Sequence, residues 1–178
     1  MTYCGPTTQS YNMTHMSFFE NPVLKKGKSV PVKYDSNTMY GKIKTDSKFS
    51  KFTKLLDKTF YREKLNDPEA NFTLFAPPDE KLAHIPDEFF DTVDRGTATQ
   101  IIRSMLLQRN IDQEVLTECP VSYIPTENFK QHLYVVNLRN ITTLNHCATV
   151  IQFGVPTSNG TIHLVDNIFM PTDDHFLT

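Results

Sequence analysis

The sequence predicts an α+β fold built as a single domain, with helices early in the chain and a mostly antiparallel β-wedge late in it. Three observations predict this. Apolar residues after Asp46 recur at helical spacing. From Leu133 onward the apolar runs are short and rich in β-branched and aromatic residues. An Asn159-Gly160 pair separates two of those runs and is the strongest two-residue hairpin signal in the chain. Helices followed by strands, without alternation, is the α+β pattern.

The elements follow in order. Residues 1–38 read as an extended arm. They lack periodicity, are punctuated by Pro6, Pro22 and Pro31, and carry isolated aromatics, among them Tyr3, Tyr11, Phe18 and Phe19. A solvated tail needs no such anchors, so these four residues are candidate partner contacts. Residues 39–172 form the domain, and 173–178 a short tail. Asp46 or Ser47 caps a helix whose apolar face is Phe49, Phe52, Leu55, Leu56 and Phe60. A strand is expected at Phe72–Phe75. Pro77-Pro78-Asp79-Glu80 and Pro86-Asp87-Glu88 each place proline in a first helical turn, with acids at the positive end of the helix dipole. A further helix is expected over Thr97–Gln108. Strands are expected at Leu133–Leu138, at Ile141–Leu144 paired back across Arg139-Asn140, at Thr149–Phe153, at Thr161–Val165, and through Ile168 and Phe169 to Pro171.

Composition sets limits on function. The 178 residues are 39% hydrophobic and 21% charged, which argues against disorder and against a fibrous chain. A net charge of −2 gives no general attraction to nucleic acid. No run approaches the ~18 apolar residues that a membrane span needs. The charge is unevenly placed: residues 42–64 hold eight basic and three acidic side chains, and residues 67–94 hold eight acidic and one basic. Such blocks are either two solvated faces or a dipolar surface that orients a partner. The cysteines, Cys4, Cys119 and Cys147, are odd in number and scattered, so free thiols are expected. Residues 1–20 show no basic start followed by an apolar run, so no secretory leader is expected there. The N-x-[ST] triplets at Asn12, Asn71, Asn140 and Asn159 accordingly read as chance.

Two segments together resemble the fasciclin-like family. Thr73-Leu74-Phe75-Ala76-Pro77-Pro78-Asp79-Glu80-Lys81-Leu82, followed by Ile85-Pro86, resembles the family's first signature. Asn159-Gly160-Thr161-Ile162-His163-Leu164-Val165-Asp166-Asn167-Ile168-Phe169-Met170-Pro171 resembles its closing one. The resemblance covers residues 39–172 and implies a fasciclin-like domain. It implies that Phe75, Ala76, Pro77 and Leu82 join strand to helix. Gly160 makes a turn after Asn159, Ile162 points inward, His163 and Asp166 tie the strand to nearby loops, and Pro171 ends the ladder. Two departures stand out. Pro78 and Asp79 replace the usual threonine and asparagine, and Ser104-Met105 stands where the family often carries Tyr-His.

No catalytic pattern emerges. Gly27-Lys28-Ser29 lacks the first glycine of a phosphate-binding loop, since Pro22 occupies that place. His146-Cys147 on a strand would point to opposite faces and could not pair as base and nucleophile. The acids Asp79, Glu80, Asp87, Glu88, Asp91 and Asp94 lack the spacing of a calcium loop. The expectation is therefore a non-enzymatic interaction module with no cofactor, no metal and no small-molecule substrate. Its expected partners are other proteins of an assembly. A minor capsid or cement role in a large DNA virus, with capsid subunits as partners, and intracellular or virion location, is the first reading. A secreted adhesion or matrix protein is the second, and a small-ligand or hydrolytic domain with an unrecognised site the third.

Overall fold

The computed structural model of the chain describes residues 33–128 and 131–170, and Tyr3, Tyr11, Phe18, Phe19 and Pro171 lie outside them. The described chain opens with α1 (Met39–Thr45), which the periodicity did not reveal. Thr38 caps it, its hydroxyl accepting from Gly41 N–H at 3.1 Å. Met39, Tyr40 and Ile43 bury one side of that helix. Gly41 is required by close approach, because a Cβ there would lie 2.0 Å from the Asp35 carbonyl oxygen.

Asp46 then starts a 3-10 turn, Ser47–Phe49, that leads into α2 (Ser50–Asp57). Phe49, Phe52, Leu55 and Leu56 are buried as the helical spacing predicts, but Phe60 is 58% exposed. The helix ends before it, at Asp57, so Phe60 leaves the stripe and stands just ahead of the one-turn α3 (Tyr61–Lys64). α2 has no capping side chain of its own. Asp79, far along the chain, supplies the cap: its carboxylate accepts from Lys51 N–H at 2.9 Å and from the Ser50 hydroxyl. A cap of this kind contributes about 1 kcal/mol.

β1 (Phe72–Ala76) is buried throughout. A 3-10 turn, Asp79–Leu82, follows, then α4 (Asp87–Thr92) and α5 (Arg95–Ser104). The helix expected over Thr97–Gln108 therefore stops at Ser104. Leu106–Leu107 instead form the short β2, paired antiparallel to β1. α6 (Gln113–Thr117) and β3 (Val121–Pro125) are two further elements that sequence periodicity missed. β4 (His132–Leu138), β5 (Ile141–Leu144), β6 (Ala148–Thr157) and β7 (Gly160–Val165) complete the sheet. No strand runs through Ile168 and Phe169, yet both are buried.

Among the described residues the seven strands lie in the order β2-β1-β7-β6-β5-β4-β3. All pairings are antiparallel except β1 with β7, the first and last strands, which are parallel. The β4–β5 link is the expected two-residue turn, with Arg139 and Asn140 at φ 51° and 63°. The β6–β7 turn lies one residue earlier than expected, at Ser158-Asn159, and Asn159 keeps a negative φ. Gly160 already belongs to β7 at φ 143°, and a Cβ there would meet the Phe72 carbonyl oxygen at 1.9 Å.

Asn159 is buried, and its amide ties four segments. Oδ1 accepts from Met39 N–H at 2.8 Å and from the Thr157 hydroxyl at 3.2 Å. Nδ2 donates to the carbonyls of Leu65 and Asp67 at 2.8 and 3.0 Å. Asn159→Ala leaves the buried Met39 N–H without a partner, at about 1–3 kcal/mol, and takes one bond from the Leu65 and Asp67 carbonyls, which keep the N–H groups of Tyr40 and Ala70. We predict a loss of about 2 kcal/mol or more in urea unfolding for Asn159→Ala. Gly160→Val is expected to be as severe, through the clash with β1, and parent-like midpoints for both would refute this account of the β1–β7 junction.

Candidate protein-interaction surface

The residues of the two signature segments form the centre of the molecule. Phe75, Ala76, Pro77 and Leu82 are buried, and so are Ile162 and His163. Phe75 and His163 face each other in register across β1 and β7, ring centroids 5.6 Å apart. The His163 ring is committed at both nitrogens. Nδ1 accepts from Gly154 N–H at 3.0 Å, so Nε2 carries the proton and donates to the Ile111 carbonyl at 2.8 Å. Burial pulls its pKa below the ordinary value, outweighing the Ile111 carbonyl and the Asp112 carboxylate, which act the other way. Asp166 accepts from Thr149 N–H at 2.7 Å and donates its own N–H to the Thr149 carbonyl. Ser104 and Met105 are buried too. The Ser104 hydroxyl is 2.9 Å from the Gln100 carbonyl and 3.2 Å from Gln131 Oε1. Beside them the Tyr61 hydroxyl accepts from Arg103 Nε, and burial pushes its pKa up to about 12.

Four of the six acids have a local partner. Asp87 pairs with Lys51 at 3.0 Å and Asp91 with Lys54 at 2.7 Å. Asp94 caps α5 through Thr97 N–H, and Asp79 caps α2. Lys58 Nζ donates to the carbonyls of Asp91 and Val93. The basic stretch thus lies against the acidic one within the same molecule. Opposite blocks that satisfy each other make poor orienting poles, which corrects the dipolar reading at Lys51, Lys54 and Lys58. Among the described residues no group of three or more His, Cys, Asp or Glu is placed to hold a metal. No helix among them is long and apolar enough to cross a membrane.

His146 and Cys147 do not lie on a strand as expected. Asn145 and His146, at φ 52° and 60°, form the β5–β6 turn. Cys119 is an exposed free thiol. Cys147 is disulfide-bonded, which corrects the expectation of free thiols throughout.

The surface that stands out is the outer face of β3, β4, β5 and β6. Directly paired residues share a face of a sheet. The inner row, with Leu133, Val135, Leu144 and Ala148, is buried in the core. The outer row carries large apolar groups as well, among threonines and His132. Val121 pairs with Val136, and Val136 with Thr143. Tyr123 pairs with Tyr134, whose ring lies 4.9 Å from Tyr123 and 4.6 Å from His146, centroid to centroid. Leu138 pairs with Ile141 at the hairpin tip. Tyr123 is 68% exposed, Leu138 66% and Ile141 55%, with Val121 and Ile151 also exposed. One-sided antiparallel sheets normally put polar residues on the wet face. Here β3, an edge strand, carries one of the most exposed aromatics. A cluster of large apolar groups on a sheet face marks an interaction site. Sequence reading missed this face because β3 is too short of strongly apolar residues to show as a strand, and without β3 neither Val121 nor Tyr123 has an assigned face.

Two predictions follow from these placements. The unfolded chain protonates His163 near 6.5, and the folded chain only at lower pH, so the unfolded state binds more protons between those values. Stability is then full above that window and falls as pH drops through it. Melting temperature is expected to decline from pH 7 to pH 5, and less steeply in His163→Gln. Equal slopes would mean that the imidazole is not held neutral. For the sulfurs, alkylation and peptide mapping of the denatured chain should label Cys119 without reductant and Cys147 only after reduction. Labelling of Cys147 without reductant would refute the disulfide.

Comparison with known proteins agrees with this geometry. The transforming growth factor-beta-induced protein ig-h3 of Sus scrofa is 28% identical over 104 residues, 55% of this chain and 14% of that protein. Its counterpart from Oryctolagus cuniculus is 28% identical over 103 residues, 54% of this chain and 14% of that protein. The chain thus spans a small part of the length of these relatives. Among solved structures, the FAS1 domain pair of the insect cell adhesion molecule Fasciclin I superposes with a TM-score of 0.60 at 20% identity, covering 75% of this chain and 51% of that one. The sequence matches the family profile of the fasciclin domain over residues 47–171, and the chain belongs to the fasciclin family.

Proposed function

We propose that this domain is a non-enzymatic adhesion module that binds another protein through the apolar outer face of β3–β6. The single observation that carries the reading is the apolar row on the outer face, with Val121 and Tyr123 exposed on an edge strand and Tyr134 and Val136 half-buried beside them. Aromatic anchors flanked by apolar neighbours are where binding energy concentrates in protein interfaces. The side chains of the described signature residues are engaged within the domain, which leaves the outer sheet face as the surface with most to gain from a partner. The solved neighbour is a cell adhesion molecule by its description, which supports the adhesion class.

An extracellular setting fits this reading better than an intracellular one. The intracellular reading leaned on the lack of a leader pattern in residues 1–20 and on free thiols, and a disulfide at Cys147, at home in an oxidising compartment, removes the second of these supports. The capsid or cement reading rests on the anchors of residues 1–38, of which Tyr3, Tyr11, Phe18 and Phe19 lie outside the described residues, and no geometry on the outer sheet face favours it.

The test is a coated-surface cell attachment assay with the double variant Val121→Thr and Tyr123→Ser. Both positions are exposed, so folding stability is expected to change by no more than about 0.5 kcal/mol per site. Attachment is expected to weaken roughly tenfold, the loss of about 1–2 kcal/mol from a buried anchor. A folded variant that supports attachment as well as the parent would overturn the assignment of this face.

A further inference from the structure

We propose that Asn71 and Asn140 are N-glycosylation acceptors, that Asn159 is closed to this modification in the folded protein, and that the glycan on Asn140 limits the docking face at its hairpin end. The inference rests on the extracellular reading above, since only a chain entering the secretory pathway meets the glycan donor.

The N-x-[ST] triplet occurs at each of these positions: Asn71-Phe72-Thr73, Asn140-Ile141-Thr142 and Asn159-Gly160-Thr161. Structure separates the three. Asn159 is buried and uses both amide hydrogens, toward the carbonyls of Leu65 and Asp67. Glycosylation replaces one of those hydrogens with a sugar carbon, so a chain modified at Asn159 loses a buried hydrogen bond. It must also place an oligosaccharide inside the core. Such a chain does not reach this fold. Asn71 precedes β1 and is exposed, and Asn140 is exposed at the tip of the β4–β5 hairpin. Asn140 serves the hairpin through its backbone, which adopts a positive φ that asparagine tolerates. Its amide is therefore available for other chemistry.

The chemistry is a group transfer. The Asn140 Nδ2 attacks C1 of an oligosaccharide carried on a polyprenyl pyrophosphate. The N–C1 bond forms, the C1–O bond to the pyrophosphate breaks, the amide gives up one proton, and the lipid pyrophosphate leaves. The hydroxyl at the third position of the triplet is part of what the transferase recognises. In the fold Thr142 is buried, its hydroxyl donating to Asn137 Oδ1 at 2.6 Å, and Thr73 is fully buried. Transfer therefore has to precede closure of the sheet, during synthesis.

Position gives the glycan a consequence. Asn140 lies between Leu138 and Ile141, a directly paired couple of exposed apolar side chains. An oligosaccharide rooted there covers that couple. It leaves Val121, Tyr123, Tyr134 and His146, further along the same face, open to a partner.

The test is glycosite mapping of the full chain secreted from a eukaryotic host behind a cleavable leader. Peptide-N-glycosidase converts each occupied asparagine to aspartate, and mass spectrometry reads the positions. Conversion is expected at Asn71 and Asn140, with Asn159 unchanged in the secreted, folded fraction. The variants Asn71→Asp and Asn140→Asp should each lose one glycan and still be secreted, aspartate being tolerated at positive φ. A secreted protein unmodified at Asn140, or one occupied at Asn159, would overturn the inference. Cell attachment by the enzymatically deglycosylated protein reads the adhesion proposal separately. Attachment that fails with the glycans mapped as expected would refute the docking face and leave the acceptor assignment standing.

Discussion

The arrangement depends above all on the parallel pairing of β1 with β7, which joins strands far apart in the chain through Asn159 and Gly160. A parallel neighbour cannot be reached by a tight turn and carries a long connection. Here everything from the first signature to the last strand is that connection. Closing so long a loop costs conformational entropy, and the contacts at the junction must offset it. Asn159 bonds α1, the end of α3, the following loop and its own hairpin with one amide. Its backbone carbonyl also accepts from Phe72 N–H at 3.1 Å. Gly160 lets the two backbones approach to a distance that any side chain would forbid. Fixing that register places Phe75 opposite His163, which in turn holds Gly154, where the β6–β7 register shifts between Gln152 and Val155, and the loop at Ile111.

Once β7 is anchored, the chain sorts its charges inward on itself. The lysines of α2 lie against the acids of α4 and the residues after it. Exposed ion pairs add little stability because water and salt screen them. Their effect is orientation: they fix how α2 sits beside α4 while the apolar residues between them supply the burial. Asp79 does the same work at the start of α2, joining the first signature segment to a helix that precedes it in the chain. The electrostatic contrast of the sequence becomes an internal device, and the sheet's outer face is left as the distinctive surface. That face is extended at its tip by Leu138 and Ile141, at its edge by Val121 and Tyr123, and across β6 by Ile151.

Much of the fold was legible in the chain. The apolar stripe of α2, the buried strand after Asn71, the proline-led α4 and the Arg139-Asn140 turn are all local features, with spacing or backbone preference set by neighbours in sequence. The signature residues identified the family and gave the position of its core. Short elements were not legible. α1 and α6 are too brief for a period to show, and β3 lacks a run of strongly apolar residues. α5 ends at Ser104 because Leu106 and Leu107 find β1 beside them, a competition between helix propensity and tertiary pairing that tertiary pairing wins.

The sequence by itself determined the α+β class, the family, the buried ring and aliphatic groups around Phe75, Phe52 and Ile162, and the local turn chemistry, because each follows from hydrophobicity and backbone preference over a few residues. Only the tertiary structure decided why Asn159 and Gly160 matter. One is a hydrogen-bond hub and the other a point of close approach, and the partners of both come from distant segments. It also decided that Phe60 and Tyr123 face solvent while Ile168 and Phe169 do not. Side-chain chemistry states a preference for burial, but which face of a strand or loop meets the core depends on what the rest of the chain brings against it.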